Sequence, residues 1–332
     1  MSSMKATRFH RTGEPEVLVC EDVPRPQPGA GEVLVRIEAT GVNFADVVRR
    51  RGDPYPFPTP LPYTLGGECI GVVEAATDAS AQHLVGQRMF AFPGKGCYAE
   101  YVAAPVASLF PVPRGLEPVQ GIALFVQGLT AALILKAAAR LQAGEAVLVQ
   151  AAAGGVGLLA VQLARIYGAG LVIGAASTVA KRELATQHGA DLALDYTQPG
   201  WAEPIRAATQ GRGVDIVLEM TGGAIARESM KVLAPFGRSV VYGAAGREPL
   251  IVNTEELPPH NHSVSGFFLR PYLARRELIE SLLREFGDFV ADGRLKIHIG
   301  GVFALEHAAD AHRALDSRSA SGKLVLVPQG SR

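Results

Sequence analysis

Cysteine is scarce in this chain. Its 332 residues hold three, Cys20, Cys69 and Cys97, far apart and without a CxxC pair. A four-cysteine zinc site is thereby excluded, and so sparse and odd a set points to a reducing, cytoplasmic setting. A surplus of charge is also missing: Lys+Arg and Asp+Glu are 32 each, so the formal net charge is zero. Such a chain has no global pull towards nucleic acid or an anionic membrane. Charged residues make up only 19% and hydrophobic ones 48%, enough for a sizeable core and too apolar for a disordered chain. Residues 1–12 carry charge early and lack an apolar stretch, which argues against a secretory leader. The longest apolar run, Gly121 to Leu135, holds Gln127, Gly128 and Thr130, and reads as too short and too interrupted to span a bilayer. No Gly-x-Ser-x-Gly elbow and no P-loop are present. His260-Asn-His262, and His307 with His312 five residues on, lack the spacing for a shared metal ion.

What is abundant is glycine, 37 residues, and proline, 22, which implies many turns. At about 150 residues per domain the length suggests two domains. The first third reads as β-structure. Val33 to Thr40 alternates apolar and polar residues, and Gly71 to Ala75 and Arg88 to Phe92 form further short strands. Proline then occupies every second position from 54 to 62, so this stretch cannot join a central ladder. It is either a rigid connector or a stiff cleft wall presenting Tyr55, Phe57 or Tyr63.

From about residue 127 the pattern changes. Glu145 to Gln150 is a short buried strand, Leu158 to Tyr167 a helix, Leu171 to Ala175 a second strand, and the alternation continues through Val214–Glu219 to Arg238–Tyr242. Such β/α alternation means a parallel, doubly wound sheet. Amphipathic helices are expected at 275–292, with Leu278, Leu282, Leu283 and Phe286 on one side, and at 305–316. The lone closing strand, Gly322 to Val327, must pair with an existing sheet, which returns the tail to the first domain.

Between the first two strands of this alternation lies Ala152-x-Gly154-x-x-Gly157, a dinucleotide-type turn with alanine in place of its first glycine. Gly154 lets the backbone approach a pyrophosphate, Gly157 lets helix and strand pack closely, and the helix start supplies N–H groups to phosphate. The next strand ends in Gly174-Ala-Ala-Ser-Thr178, without the acid that usually holds the ribose of NAD, and Lys181 follows. Ser177 and Lys181 suit a 2′-phosphate, so NADPH is the expected cofactor. One or two charge-assisted hydrogen bonds, roughly 1.5–3 kcal/mol each, favour it by about tenfold to a hundredfold or more.

These residues resemble the medium-chain dehydrogenase/reductase superfamily, and within it the zinc-free quinone oxidoreductase (zeta-crystallin-like) family. The resemblance covers essentially the whole chain. It rests on Gly41-Val-Asn-Phe-Ala-Asp46, Pro62-Tyr-Thr-Leu-Gly-Gly-Glu68 with Gly71, Gln127-Gly-Leu-Thr-Ala131, Ala151 to Gly157 and Gly322-Lys-Leu-Val. It implies α/β and β architecture: a GroES-like barrel catalytic domain, 1–126 and 268–332, and a Rossmann NADPH-binding domain, 127–267. Zinc-dependent relatives carry Cys where this chain has Asn43 and His where it has Gly67, so no metal is expected. By the same resemblance Asn43 faces the nicotinamide and the substrate, and Thr130 lies near the cofactor. Gly154, Gly155 and Val156 contact the pyrophosphate, and Ser177, Lys181 and Tyr196 form the 2′-phosphate cluster. Tyr242, Gly243, Phe268 and Leu269 line the nicotinamide side, while Arg318 and Lys323 are C-terminal cofactor contacts. A homodimer through the Rossmann domain is also implied.

The implied reaction is hydride transfer from NADPH to a quinone or activated enone, with Asn43 donating to the acceptor oxygen. Tyr55 and Tyr63 are candidate proton donors, beside water. Two alternatives stay open. One is an alkenal, enone or enoyl-thioester reductase, for which Arg49-Arg-Arg51 is either a basic strip or a solvated helix end. The other is a non-catalytic NADPH-binding protein.

Overall fold

The computed structural model of the chain describes residues 2–243 and 245–329. Residues 1 and 330–332, the ends of the expected first domain, lie outside the described residues. Two compact units are present, Met1–Val126 with Arg276–Gly287 and Ile297–Arg332, and Gln127–Arg275 with Asp288–Lys296. The chain thus changes unit at 126/127, 275/276, 287/288 and 296/297, whereas the sequence reading draws its boundaries at 126/127 and 267/268. The regular apolar stripe of the 16-residue helix Arg276–Ala291 carries no mark of the change at 287.

In the first unit the chain runs through β1 (Ser3–Phe9), β2 (Val19–Pro24), β3 (Glu32–Val42), α1 (Phe44–Arg51), β4 (Tyr63–Thr64), β5 (Cys69–Ala76), β6 (Arg88–Ala91), β7 (Tyr101–Pro105) and β8 (Leu109–Pro111). β1 pairs antiparallel with β2 and β4. β3 pairs antiparallel with β5 and β7, and β5 continues the sheet to β6 and β8. The alternation of Val33, Val35 and Ile37, all at most 1% exposed, drives β3 into one apolar cluster with Cys69, Val73 and Leu109. Between α1 and β4 the stretch 53–62 is extended. Pro54, Pro56, Pro58 and Pro60 face outward, while Tyr55, Phe57 and Thr59 are half-buried.

Residues 118–138 are helical throughout: α2 (Pro118–Ala123), a π-helical turn at 124–128, α3 (Leu129–Leu133) and a second π turn at 134–138. This helix, with 21 residues, is long and apolar enough to cross a membrane. The sequence reading is corrected here: length does not argue against a span, but burial does, since 78% of its apolar window lies inside the molecule.

The second unit holds β9 (Ala146–Gln150), α4 (Gly155–Ile166), β10 (Leu171–Ala175), α5 (Val179–Gln187), β11 (Leu192–Leu194), α6 (Glu203–Ala208), β12 (Val214–Glu219), α7 (Gly223–Met230), β13 (Leu233–Val241), β14 (Ser263–Gly266) and α8 (Leu269–Leu273). The strands form one parallel sheet, β11-β10-β9-β12-β13-β14, with its order reversal between β9 and β12. Val147, Leu148, Val149, Ile216, Val217 and Leu218 are all fully buried, the continuous apolar run that a strand covered on both faces requires. α9 (Arg276–Ala291) buries Ile279, Leu282, Leu283 and Phe286; Ile279, rather than the expected Leu278, leads the stripe.

The tail forms β15 (Ile299–Ala304), α10 (Ala308–Asp316) and β16 (Lys323–Val327). β16 pairs parallel with β15 and antiparallel with β3, so the closing strand completes the sheet of the first unit.

Candidate active site

In the second unit the turn after β9 is set by Ala151, held in the left-handed region at φ 47°, whose carbonyl accepts the Gly154 N–H at 2.8 Å. Ala152, in the place of the usual first glycine, is fully buried and donates its N–H to Ala175 O at 3.0 Å, tying the turn to β10. α4 then starts at Gly155. A Cβ on Gly157 would stand 2.3 Å from Ala151 O, so glycine there lets the helix close onto the turn. The N–H groups of this first turn have no carbonyl inside the helix to bond, and they suit a phosphate.

Beyond β10, Ala176 is buried, Ser177 half-buried, and the Thr178 hydroxyl caps α5 by accepting the Lys181 N–H at 3.3 Å. Asp195, just past β11, is held by Arg182 at 2.8 Å. The Thr197 hydroxyl, foremost, and Arg182 keep its carboxyl below the usual range. Ser177, and Lys181 in the first turn of α5, stand at the end of β10 without a carboxylate in the 174–178 turn itself, a set of donors that suits a 2′-phosphate. Tyr196 packs on the apolar cluster of this unit. At the ends of β12 and β13, Glu219 accepts the Thr221 and Gly222 N–H groups at 2.7 Å. The Tyr242 hydroxyl is buried without a hydrogen-bond partner, and burial pushes its phenol up. Gly243 follows it. Thr130 is 8% exposed in α3, Leu269 is buried, and Phe268, the N-cap of α8, is 42% exposed.

In the first unit Asn43 precedes α1, and Asp46 reaches back to accept its backbone N–H at 2.9 Å. The Asn43 side chain is engaged at both ends. Its Nδ2 donates to Glu68 Oε1 at 2.9 Å and to Gly41 O at 3.3 Å, and its Oδ1 accepts from Lys323 Nζ at 3.0 Å. Lys323 Nζ also lies 2.7 Å from Glu68 Oε1, and both charged side chains are at most 2% exposed. The Val126 N–H binds the other Glu68 oxygen at 3.1 Å. Burial pushes the Lys323 ammonium below its usual pKa, against the pull of Glu68. Asp46 also accepts Gly66 N–H and the Tyr98 hydroxyl, and Tyr98 Oη meets His312 Nε2 at 3.1 Å.

This donor set does not fit a zinc ion. Glu68 is spent on Lys323, Asn43 and Val126, Gly67 has no side chain, and among the described residues no three His, Cys, Asp or Glu side chains gather as metal ligands.

Several sequence expectations change. Lys323, expected at the cofactor, buries its ammonium against Glu68 and Asn43. Tyr63 is 5% exposed and packs on Phe9 in the core, which removes it from the candidate proton donors. Tyr55 is half-buried with the Arg49 guanidinium 4.1 Å from its ring centroid. Arg49 also binds Pro58 O and Thr59 Oγ1, and Arg50 and Arg51 both pair with Asp316. Arg49–Arg51 are therefore neither a solvated helix end nor a free basic strip; they are the fastening of α1. Arg318 is exposed in the loop after α10, at φ 55°. Glu68, Asp46, Tyr98 and His312 escape a reading for function. Their one signal is polar residues inside apolar stretches, and their partners lie up to 255 residues away.

Residues 155–286 match the family described as zinc-binding dehydrogenase, and residues 29–114 the alcohol dehydrogenase GroES-like domain. The chain is 33% identical to the quinone oxidoreductase of Sus scrofa, over 98% of both chains. It is 35% identical to that of Pseudomonas aeruginosa, over 98% of this chain and 99% of the other. It is 34% identical to a 2-haloacrylate reductase of a Burkholderia species, with the same coverage. Two similar solved structures are those of the Escherichia coli quinone oxidoreductase complexed with NADPH and of a mycobacterial protein complexed with NADPH. Their TM-scores are 0.91 and 0.90 and their identities 28% and 34%, each over 98% of this chain and 100% of the other. With such matches along nearly its whole length, the chain is an oxidoreductase and belongs to the medium-chain dehydrogenase/reductase superfamily, in its zinc-free quinone oxidoreductase family.

Proposed function

We propose that the chain is a cytoplasmic, NADPH-dependent reductase that delivers hydride to a quinone or activated enone without a metal. The observation that carries the cofactor choice is the mouth of β10, where Ser177 and Lys181 stand in place of the usual ribose-binding acid and Asp195 is engaged by Arg182 and Thr197. NADPH, when bound, supplies the hydride. Gly154, Gly155 and Val156 hold its pyrophosphate, and Ser177, Lys181 and Tyr196 its 2′-phosphate side. Thr130, Tyr242, Gly243, Phe268 and Leu269 flank the nicotinamide, and Arg318 is a further contact. A conjugated acceptor spreads its own developing negative charge, so one donor suffices. Asn43 provides it by exchanging its long bond to Gly41 O, 3.3 Å, for one to the acceptor oxygen. Tyr55, braced by Arg49, offers a flat wall, and the second proton comes from water. The similar 2-haloacrylate reductase supports an activated alkene as the second acceptor class. A thioester carrier gains nothing from Arg49–Arg51, which are engaged internally.

Lys181→Ala tests the reading. It is expected to raise KM for NADPH by about tenfold, the worth of one partly screened charge-assisted hydrogen bond, and KM for NADH hardly at all. Turnover of 9,10-phenanthrenequinone at saturating NADPH should stay the same, because the contact acts equally in ground and transition states. Equal use of both cofactors by the wild type, with a silent substitution, would overturn the cofactor assignment.

A further inference from the structure

A primary amide presents an oxygen and a nitrogen of nearly the same size, so a side chain such as Asn43 fits its site in two orientations unless its partners choose. Here they do. An ammonium only donates, and Lys323 Nζ lies 3.0 Å from one end of the amide. A carboxylate only accepts, and Glu68 Oε1 lies 2.9 Å from the other. Turning the amide over would set oxygen against carboxylate and N–H against ammonium at once. We propose that Lys323 is a positioning residue which, together with Glu68, locks the Asn43 amide with nitrogen towards Gly41 O and so fixes a donor where the acceptor oxygen arrives. The inference rests on the reading of Asn43 as that donor.

The fold makes specific room for the lock. Gly41 on β3 has no side chain, and a Cβ there would stand 2.3 Å from Glu68 Oε1 and 2.5 Å from Lys323 Nζ. β16 brings Lys323 beside it by pairing Val325 with Gly41, and the Val126 N–H satisfies the second Glu68 oxygen. As a device for stability alone such a pair is poor, because desolvation of two charges offsets their attraction and an apolar pair of similar volume does as well. What an apolar pair cannot do is tell the two ends of an amide apart.

The test compares Glu68→Gln/Lys323→Met, Asn43→Ala and the triple variant. Replacing both charges leaves no unpaired buried ion. Glutamine, both donor and acceptor, no longer selects an orientation. The double variant is expected to retain thermal unfolding close to wild type and a fluorescence-measured NADPH affinity within about twofold. Its kcat for 9,10-phenanthrenequinone should fall about tenfold to a hundredfold, below the loss of a whole oxyanion donor. Adding the pair substitution to Asn43→Ala should cost nothing more, since the positioned group is gone. Wild-type kcat in the double variant, with a slow Asn43→Ala, sinks the positioning role alone. Wild-type kcat in Asn43→Ala sinks the underlying reading as well. A readout on the wild type needs no variant to turn over substrate: nitrogen-15 NMR should show the Asn43 side-chain protons protected from exchange with solvent, assigned by their loss in Asn43→Ala. Protons that exchange as fast as those of an exposed amide would overturn the lock.

Discussion

Burial pushes the Asp46 carboxyl up to about 6, against the opposing pull of the Asn43 and Gly66 amides and of Lys323. Burial, with Arg50 and Arg51 nearby, pushes the His312 imidazole down to about 3. Tyr98 joins the two: its hydroxyl donates to Asp46, so its oxygen accepts from His312 Nε2–H, leaving His312 Nδ1 as an unpartnered acceptor. Their effects on stability have opposite signs. Between pH 3.8 and 6 the folded state keeps a proton on Asp46 that the unfolded chain has lost, so acidification stabilises, by about 2 kcal/mol at pH 4.5. Below pH 6.5 the unfolded chain protonates His312 and the folded state does not, so acidification destabilises, by about 3 kcal/mol at pH 4.5. From pH 7.5 to 4.5, His312→Gln should therefore lose less Tm than wild type, and Asp46→Asn more. Calorimetry on the three proteins checks this through slopes, whatever the fixed cost of each substitution. Parallel slopes would refute the assignment. None of this is legible in the sequence. His312 reads there as one more surface or core histidine, and nothing in Gly41 to Asp46 reveals that Tyr98 and α10 close over the carboxylate.

At the scale of elements the turn from β9 into α4 was the most legible part of the chain, since a glycine is demanded there by contact. A methyl group on Gly157 meets Ala151 O at 2.3 Å and Ala152 backbone at 2.8 Å, whereas one on Gly154 meets only Ala151 O, at 3.2 Å. Gly157→Ala should force α4 off the turn, lowering stability by about 1–3 kcal/mol and weakening NADPH about tenfold, with Gly154→Ala the milder of the two. Titration calorimetry with NADPH and thermal unfolding check both, and an unchanged Gly157→Ala would contradict the packing. The elements that misled were those whose meaning depends on distant chain. Tyr63 sits in a proline-rich stretch, yet two residues of β4 pair it with Phe9 on β1 and bury it. Three consecutive arginines on α1 resemble a solvated helix end until Asp316, on α10, supplies the partner of two of them. The two π turns in 118–138 leave no trace in composition.

At the scale of the whole molecule the sheet of the second unit ends in a strand that has one neighbour. Among the described residues β14 pairs only with β13, and Ser263, Ser265 and Gly266 are exposed. The Phe267 N–H points to Val241 O on β13. With a period of two, Ser263 and Ser265 turn the same way, and the backbone groups of Val264 and Gly266 point outward. An edge of this kind needs a cover or a partner, and a second copy across a two-fold axis provides one, antiparallel to itself. The chain is therefore expected to be a homodimer in solution. Val264→Pro isolates the claim: it removes one outward N–H and leaves the bonds to β13 in place, a position where an edge strand tolerates proline. Light scattering at micromolar concentration should give a dimer for the wild type and a monomer for Val264→Pro, with the far-ultraviolet spectrum unchanged. A monomeric wild type, or a dimer indifferent to the proline, would place the contact elsewhere or remove it.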